Sequence, residues 1–272
     1  MVCTSALTAF AALLSGAAAA PSLAARAGTI ASQCTNVRIT SQRWLVGDCL
    51  TGTGSTRITS GTYLPNKIGN DDGNLKWTEN GVYYVTCAEC KLVDGGSSLT
   101  CQCRPNFGER KETTLKLDEH ISVYSGHLLS NLKGAPAVPK APSRYPFPSN
   151  FAYGLGGNAT CVPGSDRPDW CQSVAYQCSN QDKTDFSETA SIRYDFPHGS
   201  CFQASYWFDD KFQFDKVKIA TAEGAWQLTG YTDSACGQEV VQISPEELGK
   251  CKSTPQLAKS FKVVPLFNGD PN

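Results

Sequence analysis

Apolar positions in the first half of the chain fall in short alternating runs, not at helical spacing. Val37 and Ile39 alternate with polar neighbours; Trp44, Leu45 and Val46 lead to Cys49; Leu75 and Trp77 alternate behind a polar turn. A period of two marks half-buried strands. Strands are expected around 75–77, 83–90, 98–103 and 113–117, with a short helical turn over 64–68. The segment 51–61, which opens Thr-Gly-Thr-Gly-Ser-Thr, reads as a flexible loop. The densest turn signal is Asn70-Asp71-Asp72-Gly73-Asn74. Asx side chains there cap their own backbone and Gly73 supplies positive φ. Ile68 before the turn and Leu75 and Trp77 after it anchor a polar, hydrogen-bonding corner.

The second half repeats the short-strand pattern at 191–196, 202–208, 216–220, 226–231, 240–243 and 261–267. Pro197-His198-Gly199 and Asp233-Ser234-Ala235 read as turns, and Pro245-Glu246-Glu247-Leu248 as a helical turn capped by Ser244. Between the halves, Pro136, Pro139, Pro142, Pro146 and Pro148 punctuate residues 133–150. That composition predicts an extended, semi-rigid spacer, not a packed element. The fold class is therefore all-β: a disulfide-rich duplicated β domain over 30–132, the linker 133–150, and a second small disulfide-rich β domain over 151–272. The aromatics of the second half (Tyr194, Phe196, Phe202, Tyr206, Trp207, Phe208, Phe212, Phe214 and Trp226) read mainly as core, because a small domain needs large side chains.

The first half is internally duplicated. Leu64, Ile68, Gly73 and Leu75 recur 53 positions later as Leu117, Ile121, Gly126 and Leu128; Cys34 maps to Cys87 and Ile39 to Leu92. Cys49 reaches Cys103 with a one-residue slip. The ordered set Cys34…Cys49, Leu64-x3-Ile68-Gly69-Asn70-x2-Gly73-x-Leu75-x-Trp77, Cys87-x2-Cys90-x-Leu92, Leu99-x-Cys101-x-Cys103 and Leu117-Asp118-Glu119-His120-Ile121-x4-Gly126-x-Leu128 resembles the cyanovirin-N homology family of sugar-binding proteins. The resemblance covers about residues 30–131.

The resemblance implies a metal-free oligosaccharide site. Carried onto this sequence, the first site comprises Gly69, Asn70, Asp71 and Asp72 in the turn. Thr78, Glu79, Asn80 and Gly81 follow Trp77, Thr86 precedes Cys87, and Arg104, Asn106 and Gly108 follow Cys103. The plainer reading of Asn70 and Asp72 is turn capping alone. The second site would lie at Ser122-Val123-Tyr124-Ser125-Gly126, facing Ser32-Gln33 and Leu50-Thr51-Gly52. Val123 and Ser125 replace the expected Asn and Asp, so this end is expected to bind weakly or not at all. The resemblance also implies Cys34–Cys49 and Cys87–Cys103. Cys90–Cys101 extends it, nested about the Asp94-Gly95-Gly96-Ser97 turn. The inner and outer pairs lie three residues apart on one strand and two on the other, which predicts a bulge.

Charge and cysteine usage narrow the setting. A net charge of −1 with 18% charged residues and no basic run argues against nucleic acid and against a polybasic membrane patch. Residues 1–20 are small and apolar and end in Ala18-Ala19-Ala20, as a cleavable secretion signal does. Removing Cys3 with it leaves twelve of the 13 cysteines, six on each side of the linker. Even counts suit closed disulfide sets in an oxidising, extracellular compartment, in preference to a zinc site made by Cys87, Cys90, Cys101 and Cys103. In the second half Cys236–Cys251 is the expected pair, with Cys161, Cys171, Cys178 and Cys201 left open. Asn158-Ala159-Thr160 is a glycosylation sequon. The chain carries no Gly-x-Ser-x-Gly or His-Glu-x2-His, and its three histidines, His120, His127 and His198, form no motif. No enzyme, cofactor or metal is expected. The expected partner is an oligosaccharide or the glycan of a glycoprotein. The chain itself would be a monomer or a strand-exchanged dimer, since neither repeat need close alone. An interaction protein with a degenerate site, and the targeting module of a carbohydrate-active enzyme, are the alternatives.

Overall fold

The structure is a computed structural model that describes residues 29–41, 43–148, 153–157, 191–194, 198–204, 213–219, 225–247 and 252–270. The expected signal, Asn158, Cys161, Cys171, Cys178, Cys251 and the aromatics Phe196, Tyr206, Trp207, Phe208 and Phe212 lie outside the described residues.

Ten strands build the first half in two equal sets. β1 (Cys34–Ile39), β2 (Trp44–Leu50) and β3 (Arg57–Tyr63) precede the hairpin of β4 (Ile68–Asp71) and β5 (Asn74–Trp77). β6 (Cys87–Val93), β7 (Ser98–Cys103) and β8 (Lys111–Lys116) precede the hairpin of β9 (Ile121–Tyr124) and β10 (His127–Ser130). A 3-10 turn enters each hairpin, at Leu64–Asn66 and Leu117–Glu119. Each hairpin docks on the three-stranded sheet of the other repeat. Leu75 N donates to Thr113 Oγ1 at 3.1 Å, and 53 positions away Leu128 N donates to Ser60 Oγ at 3.0 Å. Left-handed residues recur at the same offset, Asn36 (φ 53) with Glu89 (φ 52) and Asp72 (φ 48) with Ser125 (φ 49). The ladder of β6 and β7 shifts register between Ala88 and Lys91, which is the bulge that the cysteine spacing requires.

Strand alternation splits the core in two. On β2, Leu45 points into a cluster with Leu64, Ile68, Leu75, Leu99, Leu117, Ile121 and Leu128, inside the duplicated unit. Trp44 and Val46 point the other way, into a cluster with Tyr63, Trp226, Leu228, Phe214, Phe261 and Phe267. The second half contributes β11 (Tyr153–Gly157), β12 (Ser191–Tyr194), β13 (His198–Gln203), β14 (Phe214–Ile219), β15 (Trp226–Tyr231), β16 (Glu239–Ile243), β17 (Lys252–Ala258), β18 (Ser260–Pro265) and β19 (Gly269–Asp270). They form two four-stranded sheets, ordered β12-β11-β14-β17 and β13-β18-β15-β16, while β19 leaves them and runs parallel to β3. Phe214 and Trp226 are buried, as core aromatics.

Six expectations need correction. The strand expected at 83–90 begins only at Cys87, after a 3-10 turn over Tyr83–Val85, and His198 and Gly199, expected in a turn, open β13. Cys236 bonds Cys201, not Cys251: β13 and β15 flank β18 in one sheet, and this brings Cys201 beside the turn after β15. The linker is not a pure spacer. Phe147 packs edge-on against Trp44 and Phe267, Tyr145 bridges Phe267, and Ser143 N donates to Asn268 Oδ1 at 2.7 Å. The loop at 51–61 ends at residue 56, because Arg57–Tyr63 is a full strand with Ile58 across from Cys49. A further strand, β17, lies where the sequence shows no alternation, since Pro255 and four polar residues interrupt it. The disulfides Cys34–Cys49, Cys87–Cys103 and Cys90–Cys101 are formed, so these six thiols are not metal ligands.

Candidate functional site

The polar corner is built from three separate segments, and the Asn70 carboxamide ties them together. Its Oδ1 accepts from Gly73 N at 2.7 Å, closing the turn. Its Nδ2 donates to Thr86 Oγ1 at 2.8 Å and to the Arg104 carbonyl at 2.7 Å. Asp72 then reaches across to accept from Asn106 N at 2.8 Å. Arg104 N donates to the Thr86 carbonyl, and Arg110 Nη1 donates to that same carbonyl and to the Gln102 carbonyl. The turn, the residue before Cys87 and the loop after Cys103 thus form one cross-braced surface beside two disulfides.

The remaining expected residues sit along the other edge of β4. A methyl added at Gly81 would come 2.3 Å from the backbone N of Gly69, so only glycine lets the chain return this closely. Thr78 packs against Gly69, and Thr78 N and Asn80 N donate to the carbonyls of Lys67 and Asn66. Glu79, Asn80 and Arg104 are exposed, and their side chains make no hydrogen bond or ion pair among the described residues. Gly108 is exposed at φ 95 in the loop that Asp72 braces. Asp71 is set apart: its carboxylate turns to Lys76 Nζ at 3.0 Å, an exposed pair on the outer edge of the hairpin.

The structure therefore divides the expected set by role. Asn70 and Asp72 have their side chains committed to internal bonds and hold the surface in shape. Glu79, Asn80, Arg104 and Asn106 present side chains with no hydrogen bond or ion pair among the described residues. Arg110 was not singled out in the sequence, although Arg57 lies 53 positions before it and makes the same pair of bonds, to the Gln33 and Asp48 carbonyls. His120 stacks flat on Trp77 at 4.6 Å, and its backbone bonds Leu117 and Asn131, a structural placement. Burial lowers its pKa, against a smaller pull from Glu119.

At the opposite end the turn is bent the same way but its chemistry differs. Val123, 2% exposed, occupies the place of Asn70. Gln33 occupies the place of Thr86, and its buried Oε1 has no hydrogen-bond partner. Among the described residues, no side-chain amide there repeats the cross-bracing made by Asn70.

Comparison with known proteins gives one assignment. Residues 31–129 match the family model described as the CVNH domain. Similar solved structures include an MoCVNH3 variant in complex with (N-GlcNAc)4, at 19% identity over 38% of this chain and 97% of that one, with a TM-score of 0.35. The Gibberella zeae CVNH protein is 26% identical over 36% and 94%, with a TM-score of 0.32. The microvirin:mannobiose complex is 26% identical over 37% and 95%, with a TM-score of 0.31. A search of curated proteins returned no match. The segment 31–129 of this chain is a CVNH domain.

Proposed function

We propose that this is a secreted carbohydrate-binding protein that recognises mannose-type or related oligosaccharides without a metal. The site is the surface braced by Asn70 and Asp72, with Glu79, Asn80 and Arg104 among its free polar groups. The CVNH assignment supports the ligand class. The observation that carries the placement is the three-way bonding of Asn70, because it fixes the surface before a sugar arrives. Each sugar hydroxyl must be won from water for a net gain of about 0.5–1.5 kcal/mol, so ordering cost has to be low. Secretion is supported by the N-terminal segment and by four disulfides among the described residues. The second half is taken as a non-enzymatic β region joined through residues 133–150.

The test uses the full chain, because Trp44 and Tyr63 share a core with the second half. Wild type and a Glu79→Ala/Asn80→Ala/Arg104→Ala variant are compared on a glycan array and by titration with mannobiose. Binding by wild type that the variant loses is expected. Wild type that binds no glycan sinks the reading, and a variant that binds equally well moves the site elsewhere.

A further inference from the structure

We infer that Phe107 is a specificity-determining residue of this site, with its ring serving as a stacking platform for the C–H face of a pyranose beside Arg104 and Asn106. The inference rests on the carbohydrate reading above. Four large apolar side chains are exposed among the described residues: Val82 (44%), Val85 (68%), Phe107 (93%) and Leu257 (41%). Three of them border the polar corner. Val82 bridges Gly69 with a left-handed backbone at φ 42, a costly conformation for a β-branched residue. Val85 directly precedes Thr86, the hydroxyl that holds Asn70. Phe107 directly follows Asn106, whose N–H is fixed by Asp72.

The ring has no part in holding its own loop. Asp72 closes the loop through Asn106, Arg110 ties its end to the Thr86 and Gln102 carbonyls, and Gly108 makes the bend. The matching loop of the first repeat, residues 51–56, reads Thr-Gly-Thr-Gly-Ser-Thr and has no apolar side chain. A phenylalanine exposed on a braced loop, next to unbonded polar groups, suits an amphipathic ligand. A pyranose is one: its equatorial hydroxyls point outward to hydrogen-bond donors and acceptors, while its axial C–H groups, slightly positive, face the negative ring of an aromatic. A gluco-configured ring offers two such faces. The axial 2-hydroxyl of mannose interrupts one of them, so the platform favours gluco-configured units at this position.

The experiment titrates the full chain with mannobiose and with the tetramer of N-acetylglucosamine, comparing wild type with Phe107→Ala, Phe107→Leu and Phe107→Trp. Phe107→Ala and Phe107→Leu should weaken binding by about threefold to tenfold, more for the N-acetylglucosamine tetramer than for mannobiose. Thermal midpoints should not move, because the ring is exposed. Phe107→Trp should keep its affinity, and its added indole emission should change as saccharide is bound. Equal affinities for Phe107→Ala and wild type would overturn the platform while leaving the polar site standing, as would an added indole signal unmoved by bound saccharide. Wild type that binds neither saccharide would remove the underlying reading and the platform with it.

Discussion

The two three-stranded sheets of the CVNH domain share one architecture but carry different outer faces. On the first, Trp44 pairs with Tyr63 across β2 and β3, and Val46 pairs with Gly61. On the second, Ser98 pairs with Lys116 and Thr100 with Thr114 at the equivalent places on β7 and β8. The first face is buried under Phe147, Trp226 and Phe267. The second carries hydroxyls and an exposed lysine, with Thr100 and Thr114 bonded to each other at 2.8 Å. The staples differ too. Cys90 and Cys101 form a second disulfide where the first repeat has Val37 beside Gly47. One sheet is thus held by the rest of the chain and the other by an added covalent bond. Beyond the second sheet, the loop at Arg104 to Arg110 is exposed at every residue but Pro105.

The largest effect expected from this contrast comes from giving the first sheet the second sheet's residue. Trp44→Ser removes a fully buried indole from the shared core and should cost about 4 kcal/mol. Denaturant midpoints of the full chain measure it. A loss below about 1 kcal/mol would mean that the second half does not support the sheet.

Next in size is a pH effect that only one repeat should show. Lys67 and His120 are 53 positions apart, but Lys67 is fully buried, donating to the Tyr63 and Asp270 carbonyls at 3.1 and 3.3 Å. The Asp270 carboxylate lies 3.8 Å away, at the end of the β19 strand that caps β3. Burial pushes the Lys67 pKa down to about 8, opposed by Asp270 and aided slightly by Lys133. Between pH 8 and 10.5 the unfolded chain holds a proton that the folded chain has released. Stability attributable to Lys67 should therefore be flat below pH 8 and rise by on the order of 3 kcal/mol toward pH 10.5. The difference between wild type and Lys67→Met, followed by urea unfolding across this range, isolates it; parallel curves would break the assignment. Slightly smaller, at about 2–3 kcal/mol, is the loss expected for Cys90→Ala/Cys101→Ala, which opens an 11-residue separation.

Much of this arrangement was legible in the sequence, for identifiable reasons. The duplication carried its own register, so the hairpins and the turn at Asn70 followed from residues that recur, while the staples at Cys34–Cys49 and Cys87–Cys103 followed from the family resemblance. Trp44, Val46 and Tyr63 break that recurrence, since Ser98, Thr100 and Lys116 stand opposite them. That mismatch signals a covered face, but only when the repeats are aligned strand by strand. The Cys236 pairing was not legible, because it depends on β18 entering between β13 and β15 from the far end of the chain. At the site, sequence placed the polar residues in one neighbourhood. It could not separate Asn70 and Asp72, committed inward, from Arg104, left free, because that distinction lies in which side chain reaches which carbonyl. Phe107 carries no signal in the sequence for a related reason: a lone apolar residue in a loop acquires meaning only once its exposure is known.

The finest division between the two ends can be tested by exchanging one residue each way. Asn70→Val removes the carboxamide that satisfies Gly73 N and the Arg104 carbonyl, and should cost about 2 kcal/mol. Val123→Asn is the reverse exchange. It forfeits a buried apolar side chain, but the new amide finds Gln33 Oε1, which has no partner, and Gly126 N at the place of Gly73. These gains offset most of the loss, so stability should change by less than about 1 kcal/mol. Restoring the brace should not restore binding, because Leu50 stands where Arg104 does and Thr-Gly-Thr-Gly-Ser-Thr where Phe107 does. Titration of Val123→Asn with mannobiose should therefore still report one site. Two equivalent sites would show that the brace alone makes a CVNH surface bind, and that the free groups at the Asn70 end contribute little.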